Sequence, residues 1–209
     1  MQAVAWSPDG GTLASGGSDR TIWLWDGHQG SARAALQGHT ADVYCLTFTP
    51  DSRQLLSGSY DGTLRLWGVE RGESLRVLQG YAAALYDVDR SPDGTQLASA
   101  GLDTMVSLWE VAGRGAGTPP RVLRGYGWSV YGVAWRPDGS LLASSRWDNA
   151  IRLWDPVTGN CVQVIRDLEH PETLFFSSQR GSLLDRSKQQ PCGSERVTRD
   201  LAPQAPFFA

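Results

Sequence analysis

The stretch "SGSYDGTLRLW" (Ser57–Trp67) decides the fold, because the chain writes it four times. "SGGSDRTIWLW" occupies Ser15–Trp25, "SAGLDTMVSLW" Ser99–Trp109 and "SSRWDNAIRLW" Ser144–Trp154. Each copy holds a serine, an aspartate four residues later, a short alternating run and a closing tryptophan. Trp25, Trp67, Trp109 and Trp154 are separated by 42, 42 and 45 residues, and Pro8, Pro50, Pro92 and Pro137 keep the same spacings. A period of this length marks a stacked repeat architecture. The three additional residues fall in "VAGRGAGTPP", a Gly/Pro-rich connection in which extra length costs little.

Working outward, one unit reads as strand throughout. "VYCLTF" (Val43–Phe48) alternates and meets "TPDS", a turn with proline pre-set for its second position. "QLLSGS" (Gln54–Ser59) follows, then a tight Asp-Gly turn, then "TLRLW" (Thr63–Trp67) and "SLRVL" (Ser74–Leu78). Four short strands with Gly, Asp and Pro turns predict an antiparallel meander. The runs are too short and the turn residues too frequent for helices.

Composition narrows the function. The chain has 209 residues, 41% of them hydrophobic, enough to bury a core. Its net charge of −3 and pI near 5.6 argue against binding nucleic acid or an anionic membrane, which needs a concentrated basic surface. Cys45, Cys161 and Cys192 are far apart and form no CxxC pair, so neither a disulfide framework nor a zinc site is expected. No run approaches ~18 apolar residues, and the N-terminus lacks the basic flank and apolar core of a signal peptide. These features predict a soluble cytoplasmic protein without metal or cofactor.

These strings resemble the WD40-repeat family of β-propellers over about residues 2–166. The likeness rests on "GH" at Gly38–His39, "SPDG" at Ser7–Gly10 and Ser91–Gly94, "LASGG" at Leu13–Gly17, and "LWD" at Leu24–Asp26 and Leu153–Asp155. It implies an all-β chain of four four-stranded antiparallel blades, at about 2–36, 43–78, 85–124 and 130–166. Residues 167–209 lose the alternation and the motif, and read as a degenerate or truncated fifth repeat or a loosely structured tail. Three arrangements are open: a strained four-blade ring, an open arc, or two paired chains. The open arc, part of a larger propeller, ranks first, with self-association through unclosed blade edges as its consequence.

The resemblance also implies a hydrogen-bonded tetrad, complete only in the second blade: His39, Ser57, Asp61 and Trp67. Partial sets remain as Ser15, Asp19 and Trp25, as Ser99, Asp103 and Trp109, and as Ser144, Asp148 and Trp154. The third and fourth blades carry Gly80–Tyr81 and Gly125–Tyr126 where the second has Gly-His, and the first blade begins after that position. Ser57, His39 and Asp61 are the residue types of a hydrolase triad, but their spacing is that of the structural set, and no phosphate loop or metal-ligand spacing accompanies them. Arg90, where Trp6, Phe48 and Trp135 stand in the other blades, is expected to weaken its blade or to mark a contact of its own.

The resemblance further implies a partner-docking face that gathers Asp42, Tyr44, Tyr60, Tyr86, Leu102, Ser129, Tyr131 and Trp147, with Ser18 and Ala84 beside them. Tyrosine and tryptophan are enriched among the energetic centres of interfaces. The expected function is therefore a non-enzymatic scaffold that binds a protein or peptide through an aromatic-lined face. Two alternatives stand beside it: a regulatory or sensory fragment of a larger bacterial-type signalling protein, and a degenerate gene remnant.

Overall fold

A computed structural model describes residues 1–78, 84–111, 119–124, 127–146 and 148–166, with the backbone of three further strands at 174–176, 183–185 and 196–199. Every element among them is a strand. The first sheet is β1 (Ala3–Trp6), β2 (Thr12–Gly16), β3 (Ile22–Asp26) and β4 (Ala32–Leu36). The second is β5 (Val43–Phe48), β6 (Gln54–Ser59), β7 (Leu64–Gly68) and β8 (Glu73–Leu78). The third is β9 (Leu85–Arg90), β10 (Gln96–Gly101), β11 (Val106–Glu110) and β12 (Arg121–Leu123). The fourth is β13 (Val130–Trp135), β14 (Leu142–Arg146), β15 (Ile151–Trp154) and β16 (Cys161–Ile165). In each sheet the strands pair antiparallel in chain order, as the alternation and turn residues require.

Local chemistry holds the turns. In the first "SPDG", Ser7 Oγ donates to Asp9 Oδ1 at 2.6 Å and accepts from Thr12 N at 2.9 Å, while Gly10 N donates to Ser7 O. Ser91, Asp93 and Gly94 repeat this in the third sheet. Each tight turn places the residue after its aspartate in the left-handed region: Arg20, Gly62, Thr104 and Asn149, at φ 63°, 75°, 65° and 57°. Only Gly62 adopts this without a Cβ penalty; Thr104, being β-branched, bears the largest.

The sheets stack face to face. Ala14, Ile22, Leu24 and Leu36 on the back of the first meet Val43, Phe48, Leu55 and Trp67 on the front of the second. Cys45, Leu56 and Leu64 meet Leu85, Val88, Leu97 and Trp109 in the next layer. Ala98, Val106, Leu108 and Leu123 meet Val133, Trp135, Leu142 and Trp154 in the third. The inner strands follow one another, β1 against β5, β5 against β9 and β9 against β13. Among the described residues no contact of comparable extent joins β1 to β13, so the sheets form an open arc. Its leading face shows this directly: Trp6 is 57% exposed, whereas Phe48 and Trp135 at the equivalent positions are 7% and 6% exposed.

Beyond 166, β17 (Leu174–Phe176), β18 (Leu183–Asp185) and β19 (Arg196–Arg199) pair antiparallel in chain order, and β17 lies beside β13. Among the described residues this is one strand fewer than each of the four preceding sheets. Arg90 finds a contact within its own sheet. Its Nε and terminal nitrogen donate to the carbonyl of Gly94, at 3.0 and 2.5 Å, so the guanidinium caps the adjacent turn.

Candidate functional site

The turn after β6 and the loop before β5 bring His39, Ser57, Asp61 and Trp67 together. Trp67 Nε1 donates to Ser57 Oγ at 2.8 Å, and Ser57 Oγ lies 2.7 Å from His39 Nε2. His39 Nδ1 lies 2.9 Å from Asp61 Oδ2. Since Ser57 Oγ already accepts from the indole, its proton goes to Nε2, which leaves Nδ1–H to donate to Asp61. Burial lowers the His39 pKa against the opposing pull of Asp61, which agrees with a neutral ring. Burial also pushes Asp61 upward, but hydrogen bonds from Thr63, Thr40 and His39 outweigh it and bring its pKa to about 2. Ser57 is 0% exposed and engaged on both sides, an arrangement suited to rigidity and closed to substrate.

The other sheets keep the tryptophan–serine bond: Trp25 to Ser15 at 2.9 Å, Trp109 to Ser99 at 3.1 Å and Trp154 to Ser144 at 2.9 Å. Their aspartates diverge. Asp19 makes two long contacts, accepting from Thr21 N and Trp23 Nε1 at 3.4 Å each. Asp103 accepts from Met105 N, and burial raises its pKa. Asp148 pairs with Arg146 at 3.1 Å and Arg152 at 3.2 Å. Tyr81 and Tyr126, the residues in the histidine position there, lie outside the described residues.

On one face, tyrosines from three successive sheets form a row. Tyr60 lies 6.2 Å from Tyr44, which meets Tyr86 edge to face at 5.9 Å, and Tyr86 stacks on Tyr131 at 5.2 Å and 21°. Tyr44, Tyr86 and Tyr131 share this face because each is the second residue of an inner strand; Tyr60 joins from the turn after β6. Tyr60 is 53% exposed, and its backbone N–H donates to the carbonyl of Asp42. Leu102 occupies the same turn position one sheet on, exposed, with its N–H on the carbonyl of Ala84. Ser129, half-buried, precedes β13, and Trp147 lies outside the described residues.

Three features of this region were not read from sequence. Trp128, beside Ser129, is largely exposed, and its position just before an inner strand could have flagged it. Arg146 reaches Asp148 from the end of β14. Asp87 and Asp89 on β9 extend their carboxylates to β13, accepting from Val133 N at 2.9 Å and Trp135 N at 2.6 Å. Enclosure between the strands raises their pKa values to about 7 and about 6. An inner strand is a sheet edge with N–H groups free to pair, and these two carboxylates cover the edge of β13. Among the described residues no three His, Cys, Asp or Glu side chains gather as a metal site, and no helix is long and apolar enough to cross a membrane.

Comparison with known proteins agrees with the sheet pattern. The family described as "WD domain, G-beta repeat" matches residues 2–26, 30–68, 72–110 and 117–155, more than half of the chain. Its unit is offset from the sheets by one strand: 30–68 holds β4 of the first sheet and β5 to β7 of the second, so each repeat ties neighbouring sheets together. The chain is similar to cytosolic iron-sulfur protein assembly protein 1 of Sclerotinia sclerotiorum, with 46% identity over 52 residues. These cover 22% of this chain and 12% of the relative. It is also similar to the general transcriptional corepressor TUP1 of Saccharomyces cerevisiae, 42% identical over 48 residues, 23% of this chain and 7% of the relative. The matches thus span a small part of either relative's length. Four family repeats over more than half of the chain, together with four antiparallel meanders that each keep the serine–tryptophan bond, establish that the chain belongs to the WD40-repeat family.

Proposed function

We propose that the chain is a non-enzymatic interaction module that binds a protein or peptide segment through its tyrosine face. One observation carries the reading: Tyr60, Tyr44, Tyr86 and Tyr131 form a continuous row of rings drawn from three sheets. Rings held by neighbouring rings lose little freedom on binding, and tyrosine combines apolar area with a hydroxyl. Asp42, Leu102 and Ser129 border the row, and the sequence register adds Trp147, outside the described residues, to the expected set. The names of the two relatives, an assembly protein and a corepressor, suit proteins that work by holding others. The acidic balance favours a protein partner over nucleic acid or a membrane surface, and free Cys45 and Cys161 suit a reducing cytoplasmic compartment.

Selection of a random peptide library displayed on phage tests this reading. The wild-type chain should enrich a family of sequences, and a Tyr60→Ala, Tyr131→Ala double variant with an unchanged melting temperature should lose at least tenfold of that binding. Equal retention of the enriched peptides by the folded double variant would move the site elsewhere.

A further inference from the structure

Hydroxyls, backbone and charge together limit the kind of segment that can lie on the tyrosine row. Among the described residues no hydrogen bond engages the hydroxyls of Tyr44, Tyr60 and Tyr86, which meet their neighbours through the rings. Burial raises the Tyr86 pKa, and Tyr131, Tyr60 and Tyr44 raise it further, so the four phenols stand close enough to feel one another. The row therefore offers flat apolar rings with O–H donors gathered beside them. Its backbone offers little. Tyr60 N donates to Asp42 O, Leu102 N to Ala84 O and Val43 N to Gly17 O. On β13, which carries Tyr131, the N–H groups of Val133 and Trp135 are taken by Asp87 and Asp89. A peptide adding as a strand would find those donors engaged. The four tyrosines and the bordering Asp42, Leu102 and Ser129 include no cation, and Arg146, across from Val130, is paired with Asp148 at 3.1 Å. An acidic or phosphorylated segment thus meets no counter-charge in the row. A helix, ~10 Å across, needs a groove with two walls, whereas the row is a single file of rings.

We infer that the row receives a proline-rich segment of a partner polypeptide in the polyproline II conformation. Its pyrrolidine rings lie on the tyrosine rings, and its carbonyls accept from the tyrosine hydroxyls. The inference rests on the tyrosine face being the binding site. A polyproline II helix makes no internal hydrogen bonds, so its carbonyls are available, and proline brings no N–H to be left unpaired against a ring. Its stiffness also lowers the ordering cost of binding to side chains alone. The lengths agree. The three ring steps of 6.2, 5.9 and 5.2 Å span at most about 17 Å, close to two polyproline II turns at ~3.1 Å per residue.

The probe is an acetylated, amidated proline decamer, titrated into the intact chain with ring-labelled tyrosine. Saturable shifts should appear at Tyr60, Tyr44, Tyr86 and Tyr131. Blocked lysine, glutamate and Gly-Ser decamers should bind at least tenfold more weakly. A Tyr44→Phe, Tyr60→Phe chain keeps its rings and loses two hydroxyls; it should bind the proline decamer at least threefold more weakly at unchanged melting temperature. No saturable shift, equal binding of the lysine decamer, or equal binding by the phenylalanine variant would each overturn the inference. The phage selection separates it from the reading beneath it. Peptides that the folded Tyr60→Ala, Tyr131→Ala variant no longer holds should carry two or more prolines. Tyrosine-dependent peptides without proline would overturn the inference and leave the tyrosine face standing, whereas peptides held equally by that variant would remove both.

Discussion

Replacing His39 by alanine tests most of the energetics of the second sheet at once. The imidazole accepts from Ser57, donates to Asp61 and packs its edge on Trp67 at 6.1 Å. Without it the buried Ser57 hydroxyl has no acceptor on that side, a penalty of ~1–3 kcal/mol. Lost contact with the indole adds on the order of 0.5–1 kcal/mol. Asp61 keeps its bonds to Thr63 and Thr40, so the carboxylate does not become an isolated charge. The total is about 2–4 kcal/mol. For a chain of this size that lowers Tm by roughly 5–15 °C, read by circular dichroism at pH 7. The variant should also lose pH dependence. Asp61 has a folded pKa below its unfolded value, so its stabilisation is complete above the ordinary carboxylate range and fades as pH falls towards about 2. His39, also lowered, contributes fully above its ordinary pKa, and that contribution is lost as pH falls from there through the lowered folded value. Both slopes should be shallower in His39→Ala. A Tm within about 1 °C of wild type would refute the reasoning, because only surface substitutions are so silent.

Other expectations follow from the same geometry. Asp87 and Asp89 have raised pKa values, so the stability they confer is complete at pH below about 4 and is lost as pH rises through about 6 to 7. Asp87→Asn retains an acceptor for Val133 N without the charge; it should raise Tm at pH 8, change it little at pH 4, and is checked by melting across that range. Thr104→Gly relieves a β-branched residue from a left-handed turn and should stabilise by about 1 kcal/mol, measured by urea unfolding. Phe48→Ala should cost about 3–5 kcal/mol in the same assay, whereas Trp6→Ala at the equivalent but exposed position should cost under about 1 kcal/mol.

What could be read from sequence followed the repeat. The strands, the turns and the Ser57–Trp67 pairing recur at fixed offsets, so four copies reinforce each reading. The row of Tyr44, Tyr86 and Tyr131 was legible for the same reason, since identical strand positions share a face once the sheets stack. The bonds from Asp87 and Asp89 to β13 were not, because they join two sheets through backbone groups that carry no residue type. Arg90 was visible as an anomaly, but its partner is a carbonyl, again silent in sequence. The strain at Thr104 was hidden because the turn was read from its Asp-Gly copy, Asp61–Gly62, and the other three copies reach the same φ without glycine. Residues 167–209 read as a degenerate or truncated fifth repeat or a loose tail without individual strands, because each strand there is only three or four residues long and none ends in the repeat's tryptophan.

Ring contacts between tyrosines test the stacked arrangement most directly. Tyr44 and Tyr86 are 42 residues apart, Tyr86 and Tyr131 are 45, and only consecutive inner strands lying side by side can bring them together. With ring-labelled tyrosine and assignment by single Tyr→Phe variants, cross-relaxation should link Tyr60 to Tyr44, Tyr44 to Tyr86, and Tyr86 to Tyr131. A folded chain in which Tyr86 shows no cross-relaxation to either neighbour would contradict the stacking of the sheets and the binding face built on it.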